Sequence, residues 1–217
     1  MIRGVIFDMD GVLVSTDELH YQSWTVLAEQ EEIPFSREIN HRQRGQGRME
    51  SLEILLEKAS RKYTAEEKTT MTEQKNDCFL RLLESFTADD VLPGAREMLR
   101  ALRARGIRVA VGSSSKNAPV ILERADLLKE VDAVVDGNDV SRSKPAPDVF
   151  LLAAEKIGLP PEECLVLEDA PSGVEAARRA GMSVFAIGPA ERHPDVEHVA
   201  EGLDGLTVDD LIGWAGS

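Results

Sequence analysis

The chain has 217 residues, 42% of them hydrophobic and 29% charged, with 39 acidic against 25 basic side chains and a net charge of −14. A chain of this size buries roughly 70% of its unfolded surface, so it needs no disulfide staple and has room for one large domain or a core with a modest insertion. The acidic surface repels nucleic acid and anionic lipid, which excludes both as general partners, and an anionic substrate then requires a locally basic pocket.

Gly4 to Phe7 form a short apolar run broken by Asp8, which predicts a buried strand. From Thr16 to about Phe86 the pattern is helical with almost no strand signal. Helices are expected over 17–31, 49–59 and 65–86, the last with Phe79, Leu82, Leu83 and Phe86 on one face. After Pro93 strands and helices alternate. Helix 94–105 stops at Gly106, strand 107–111 follows, then helix 117–125 and strand 133–135. Helix 148–157 stops at Gly158, strand 165–167 leads to helix 172–180, and strand 183–187 and helix 208–212 complete the pattern.

Such alternation with short joins predicts a parallel sheet covered on both faces. The first strand is cut off from the others by the helical stretch. The expected architecture is therefore α/β: a Rossmann-like core of residues 1–15 and 90–217, with a helical cap of residues 16–89 inserted after strand 1. Cys78 and Cys164 form no CxxC pair and read as small buried thiols. MIRGVIFD shows no signal-peptide apolar region, and no apolar run approaches a membrane span, so a cytoplasmic protein without a membrane partner is expected.

Ligands of open parallel sheets bind beyond the carboxyl ends of the strands. Those ends are followed here by Asp8-Met-Asp10, by Gly112-Ser113-Ser114-Ser115-Lys116, by a segment leading to Lys144, and by Glu168-Asp169. Each alone has an ordinary explanation as a turn, a helix cap or a solvated charge. Together they crowd Asp8, Glu168 and Asp169 into one crevice, which is costly unless a cation binds, and an all-oxygen donor set favours Mg2+ beside phosphate. Asp8 is then a nucleophile toward phosphorus, and Asp10, on the same side of an extended segment, a general acid and base. Ser113 and nearby N–H groups would hold phosphate oxygens, and Lys144 would offset developing charge. No P-loop and no GxSxG elbow occurs, which argues against nucleotide-dependent and serine-nucleophile chemistry.

FDMDGV at 7–12, GSSSKN at 112–117, SKPAPD at 143–148 and LEDAPSG at 167–173 resemble the signature of the haloacid dehalogenase superfamily. The resemblance implies that fold, an aspartyl-phosphate mechanism at Asp8, and a metal set of Asp8, Asp10, Glu168 and Asp169. A closer resemblance is to the β-phosphoglucomutase family, which implies interconversion of β-glucose 1-phosphate and glucose 6-phosphate through glucose 1,6-bisphosphate. On that resemblance Thr16, His20 and Trp24 match the hinge and first cap helix. Arg44, Gly45, Arg48, Glu50 and Ser51 fall where the cap binds the non-transferring phosphate. Lys75, Asn76 and Asp77 match a later cap motif, and Ser115, Lys116 and Asn117 the core-side contacts. Arg44 stands where that family has a lysine, and Gln43 where it has an apolar residue. Arg48 also opens a helix, where a cation opposes the dipole unless an anion binds. The expected partner is a small sugar phosphate and the expected state a monomer. A sugar-phosphate phosphatase, a phospho-accepting receiver domain and a dehalogenase stay open as alternatives.

Overall fold

The structure, a computed structural model, describes residues 1–188 and 194–213; the expected core limit at 217 lies outside them. Strand β1 (Gly4–Phe7) is followed by helices α1 (Asp17–Gln30), α2 (Arg37–Arg42), α3 (Arg48–Leu56) and α4 (Ala65–Leu82). Next come α5 (Ala95–Ala104), β2 (Arg108–Gly112), α6 (Ala118–Arg124), β3 (Ala133–Val135), α7 (Asp148–Lys156) and β4 (Cys164–Glu168). The described chain continues through α8 (Pro171–Arg179), β5 (Ser183–Ile187), β6 (Val199–Ala200) and α9 (Val208–Ile212).

The sheet is parallel, in the order β3-β2-β1-β4-β5-β6. Successive strand residues face opposite sides. Val5 and Phe7 of β1 join Val109, Val111, Leu165 and Leu167 in one apolar cluster with α5, α6 and α9. Ile6 joins Ala110 and Val166 in another, with Phe150 and Ala153 of α7 and Ala176 of α8. The α/β fold with a doubly covered Rossmann-like sheet is thus observed. A third cluster joins Trp24 and Leu27 of α1, Leu52 and Leu55 of α3 and Met71 of α4 with Ile33 of the segment after α1.

Three elements differ from expectation. The helix expected over 65–86 ends at Leu82 and tightens into a 3₁₀ turn, Leu83–Ser85, as Phe79, Leu83 and Phe86 turn into the core beside β1. Helix α2 carries no long apolar period and is started by Ser36, whose hydroxyl accepts from Ile39 N–H at 3.4 Å. Strand β6, only two residues long, adds an edge that no run of residues announces.

Candidate active site

The sheet reverses its strand order at the β1–β4 pair, and both strands end in carboxylates. Asp8 follows β1 and keeps its N–H in the sheet, donating to Leu167 O at 2.8 Å. Glu168 closes β4. Asp8, Glu168 and Asp169 each present an oxygen within 4.8 Å of the others. Two glycines make the crowding possible. Gly11 has φ +80°, and a Cβ there would run into the Asp169 carboxylate; a Cβ on Gly173 would overlap the Glu168 side chain.

Lys144 lies beneath this cluster. Its Nζ donates to Asp8 Oδ1 at 2.6 Å and to Glu168 Oε2 at 2.7 Å, and its side chain has no solvent exposure. Burial disfavours the ammonium, but the two carboxylates outweigh it and hold the Lys144 pKa above the usual lysine range. The other Glu168 oxygen accepts from the N–H groups of Asp169 and Ala170, at 3.1 and 3.0 Å. Burial and then the Asp8 charge nevertheless raise Glu168. Asp169 is pushed up by burial first, then by Glu168 and Asp8.

The donor set suits a hard divalent cation. Asp8, Glu168 and Asp169 are the carboxylates that could hold it, and no hydrogen bond engages the Asp169 carboxylate among the described residues. The Asp10 carboxylate, expected among the metal ligands, stands outside this cluster. Thr16 explains where it goes: its N–H and hydroxyl donate to Asp10 Oδ1, both at 2.7 Å, and the hydroxyl also reaches Oδ2 at 2.8 Å. Thr16 is the N-cap residue of α1, yet its hydroxyl makes no capping bond and serves Asp10 instead. Burial pushes Asp10 up to about 6 against the opposing effect of those bonds.

A cleft open to solvent at its mouth lies over the strand ends. Asp8, Asp10, Ser113 and Asp169 reach it from the sheet, and Ser115, Lys116 and Asn117 from the loop after β2. His20, Trp24, Arg44, Gly45, Arg48, Ser51 and Lys75 reach it from the helical stretch. Thr16, Lys144 and Glu168 are buried behind the lining. Glu50 and Asp77 are exposed and do not line it.

The two sides touch. Ser114 Oγ donates to Gly45 O at 3.1 Å, and Asn76 Oδ1 accepts from both Arg48 Nη2, at 2.7 Å, and Asn117 Nδ2, at 2.9 Å. Lys75 Nζ lies 2.7 Å from His20 Nδ1 and beside the Trp24 and Phe79 rings. Burial, then Arg48, lowers Lys75 to about 7, and burial, then Lys75, lowers His20 well below its ordinary value. A neutral His20 thus offers Nδ1 as the acceptor.

Residues 2–181 match the family model described as haloacid dehalogenase-like hydrolase. The chain belongs to that family. As a haloacid dehalogenase-like enzyme it is similar to β-phosphoglucomutase of Bacillus subtilis, 40% identical over 89% of this chain and 85% of that protein. It is also similar to the phosphorylated carbohydrates phosphatase of Thermotoga maritima, 35% identical over 83% and 82%. A solved structure of β-phosphoglucomutase from Clostridium difficile superposes with a TM-score of 0.94 at 31% identity, covering 99% of this chain and 97% of that one.

Within this family member, some cleft residues had no signal in the sequence. Asp17 holds Arg44 through Nε and Nη2, at 3.3 and 2.8 Å, and takes Asn40 Nδ2 at 3.0 Å. Asp17, Asn40 and Gln46 all line the cleft, yet they come together from separate elements, so no local pattern marks them. Arg44 is accordingly committed to a protein carboxylate. Arg48 forms no ion pair among the described residues, and burial lowers its pKa.

Proposed function

We propose that this enzyme is a phosphomutase interconverting β-D-glucose 1-phosphate and D-glucose 6-phosphate through an aspartyl phosphate at Asp8 and glucose 1,6-bisphosphate. The observation that carries this reading is that one cleft holds two places for an anion. The first is Asp8 with Lys144 and Ser113; the second is Arg48, half-buried, bonded to Asn76 and in no ion pair among the described residues. A mutase must hold a phosphate at each end of a sugar bisphosphate, whereas hydrolysis needs only the first place.

In the proposed cycle an Asp8 oxygen attacks phosphorus, the Asp8 O–P bond forms and the bond from phosphorus to the sugar oxygen breaks. Asp10 gives its proton to the departing oxygen and, in the reverse sense, takes a proton from the hydroxyl that attacks phosphoaspartate. Asp8, Glu168 and Asp169 would hold Mg2+, which when bound would supply the charge that lets an anionic carboxylate approach an anionic phosphoryl group. Lys144 stays paired to Asp8 and offsets charge there, and the Ser113 hydroxyl binds a phosphoryl oxygen. Residues 16–89 act as a cap that keeps water from the phosphoenzyme while the bisphosphate exchanges ends, with Arg48, Lys116 and Asn117 on the non-transferring phosphate and His20, Trp24, Arg44, Gly45, Ser51, Lys75 and Ser115 around the sugar. The proposed state is a monomer. No described helix is long and apolar enough to cross a membrane.

The phosphatase relative supports a second reading, hydrolysis of a sugar phosphate at the same Asp8. The product assay separates the two. With β-glucose 1-phosphate and a trace of glucose 1,6-bisphosphate, the mutase yields glucose 6-phosphate and is primed by the bisphosphate. Stoichiometric free glucose and inorganic phosphate, without priming, would establish the phosphatase instead.

A further inference from the structure

Asn76 of α4 does not line the cleft, yet it holds two residues that do. Its side-chain oxygen accepts from Arg48 Nη2 at 2.7 Å and from Asn117 Nδ2 at 2.9 Å. Its amide orientation is fixed by chemistry, because a guanidinium only donates and the atom facing it must be the oxygen. Arg48 opens α3 and Asn117 stands just before α6, so one oxygen ties the helical stretch to the sheet.

Asn117 departs from the habit of its position. An asparagine at a helix N-cap ordinarily turns its side chain to the N–H groups of its own helix. Asn117 is the N-cap of α6 and makes no such bond; its amide reaches across to Asn76 instead. The charge of the holder matters as much as its place. In the same cleft Arg44 is paired with Asp17, and that carboxylate offsets its charge. Arg48 is bonded to an uncharged oxygen, and Asp77 acts on it without forming an ion pair. An amide oxygen orients a guanidinium without neutralising it, whereas a carboxylate does both.

We propose that Asn76 is a positioning residue of the second anion place: its oxygen sets Arg48 and Asn117 side by side, and its neutrality leaves the Arg48 charge to a phosphate of the substrate. The proposal rests on the reading of Arg48 and Asn117 as holders of the non-transferring phosphate, but not on whether the sugar is isomerised or dephosphorylated. Because the two arms come from opposite sides of the cleft, the place is complete only where those sides meet at Asn76.

The test compares Asn76→Asp, Asn76→Ala and Arg48→Ala with the wild type in KM, kcat and melting temperature, with β-glucose 1-phosphate as substrate and glucose 1,6-bisphosphate as primer. Asn76→Asp is nearly isosteric and still accepts from both donors, but it pairs with Arg48. It is expected to keep the melting temperature and to raise KM about 10-fold or more, with a smaller change in kcat. Asn76→Ala is expected to raise KM about 10-fold, the loss of one hydrogen bond to a charged group. A plain strut between the two sides predicts otherwise: Asn76→Asp, which preserves both bonds, would match the wild type. That result would overturn the proposal, as would a wild-type KM in a folded Asn76→Ala; should Asn76→Ala not fold, Asn76→Asp decides. If Arg48→Ala raises KM and the Asn76 variants do not, the role of Asn76 alone falls. If Arg48→Ala leaves KM unchanged, the second anion place falls and the proposal with it. Release of inorganic phosphate in place of glucose 6-phosphate ends the mutase reading, while the KM values still decide the role of Asn76.

Discussion

Lys144 Nζ sits 2.6 Å from Asp8 Oδ1, so the proposed nucleophile is one half of a buried ion pair. Glu168 completes a triad around the same ammonium. Removing one member of such a set leaves buried charge uncompensated and costs about 3–5 kcal/mol. Lys144→Met is expected to lower the melting temperature clearly and to cut turnover by about 10² or more. Adding Glu168→Gln should recover part of the stability but none of the activity. A Lys144→Met protein that melts like the wild type would contradict the pairing.

Thr16 is expected to set the pH dependence. Its hydroxyl bonds stabilise the ionised form of Asp10, whose pKa burial raises to about 6. Base catalysis needs that ionised form, so the rate should climb as pH rises through the Asp10 pKa. Thr16→Val deletes the hydroxyl and should move the climbing limb of kcat/KM to higher pH, while Thr16→Ser should leave it in place. A limb unmoved in Thr16→Val would separate it from Asp10.

Magnesium should stabilise the protein most at alkaline pH. Burial, then Glu168 and Asp8, raises Asp169 from 3.8 to about 8. A carboxyl raised in the folded state adds stability below its unfolded value, and that contribution is lost as pH rises toward the folded one. Without the cation, stability should therefore decline between about pH 4 and 8. Added Mg2+ should raise the melting temperature more at pH 8 than at pH 6 and restore turnover after chelation. Asp169→Asn should melt higher than the wild type without the cation at pH 8 and respond little to Mg2+. Equal shifts at both pH values would argue against a carboxylate cation site.

Arg48→Ala should raise KM for β-glucose 1-phosphate about 10- to 100-fold, as expected for losing charge-assisted bonds to a phosphate. It should also increase the share of inorganic phosphate among the products, since a loosely held bisphosphate leaves the phosphoenzyme open to water. Unchanged KM and product ratio would remove Arg48 from the substrate.

The strand ends were legible in the sequence because catalysis there uses short, chemically distinctive strings. Asp8-Met-Asp10, Ser113 and Glu168-Asp169 each follow an apolar run, and parallel pairing gathers the ends of such runs at one edge. Lys144 was legible only in company, since its partners lie 136 and 24 residues away. The destination of the Asp10 carboxylate was legible only as a restraint shared by Thr16, His20 and Lys75. A threonine before a helix normally caps it, whereas Thr16 faces backward to Asp10 and His20 and Lys75 bond to each other. Helix α2 was missed for a related reason: Arg37–Arg42 is polar on most sides and is held by its cap and by Asn40 to Asp17 rather than by an apolar stripe.

The place of β1 in the middle of the sheet has a consequence for biosynthesis. Gly4 pairs with Arg108 on one side and with Cys164 on the other, so the strand made first completes its ladder roughly 160 residues later. At roughly 5–20 residues per second, the ribosome needs on the order of ten seconds or more to supply β4. Helices α1, α3 and α4 meanwhile have their own apolar cluster to gather. The nascent chain thus acquires its roof before its floor, and the acidic residues that would repel one another are brought together last, when Lys144 has already been synthesised to receive them.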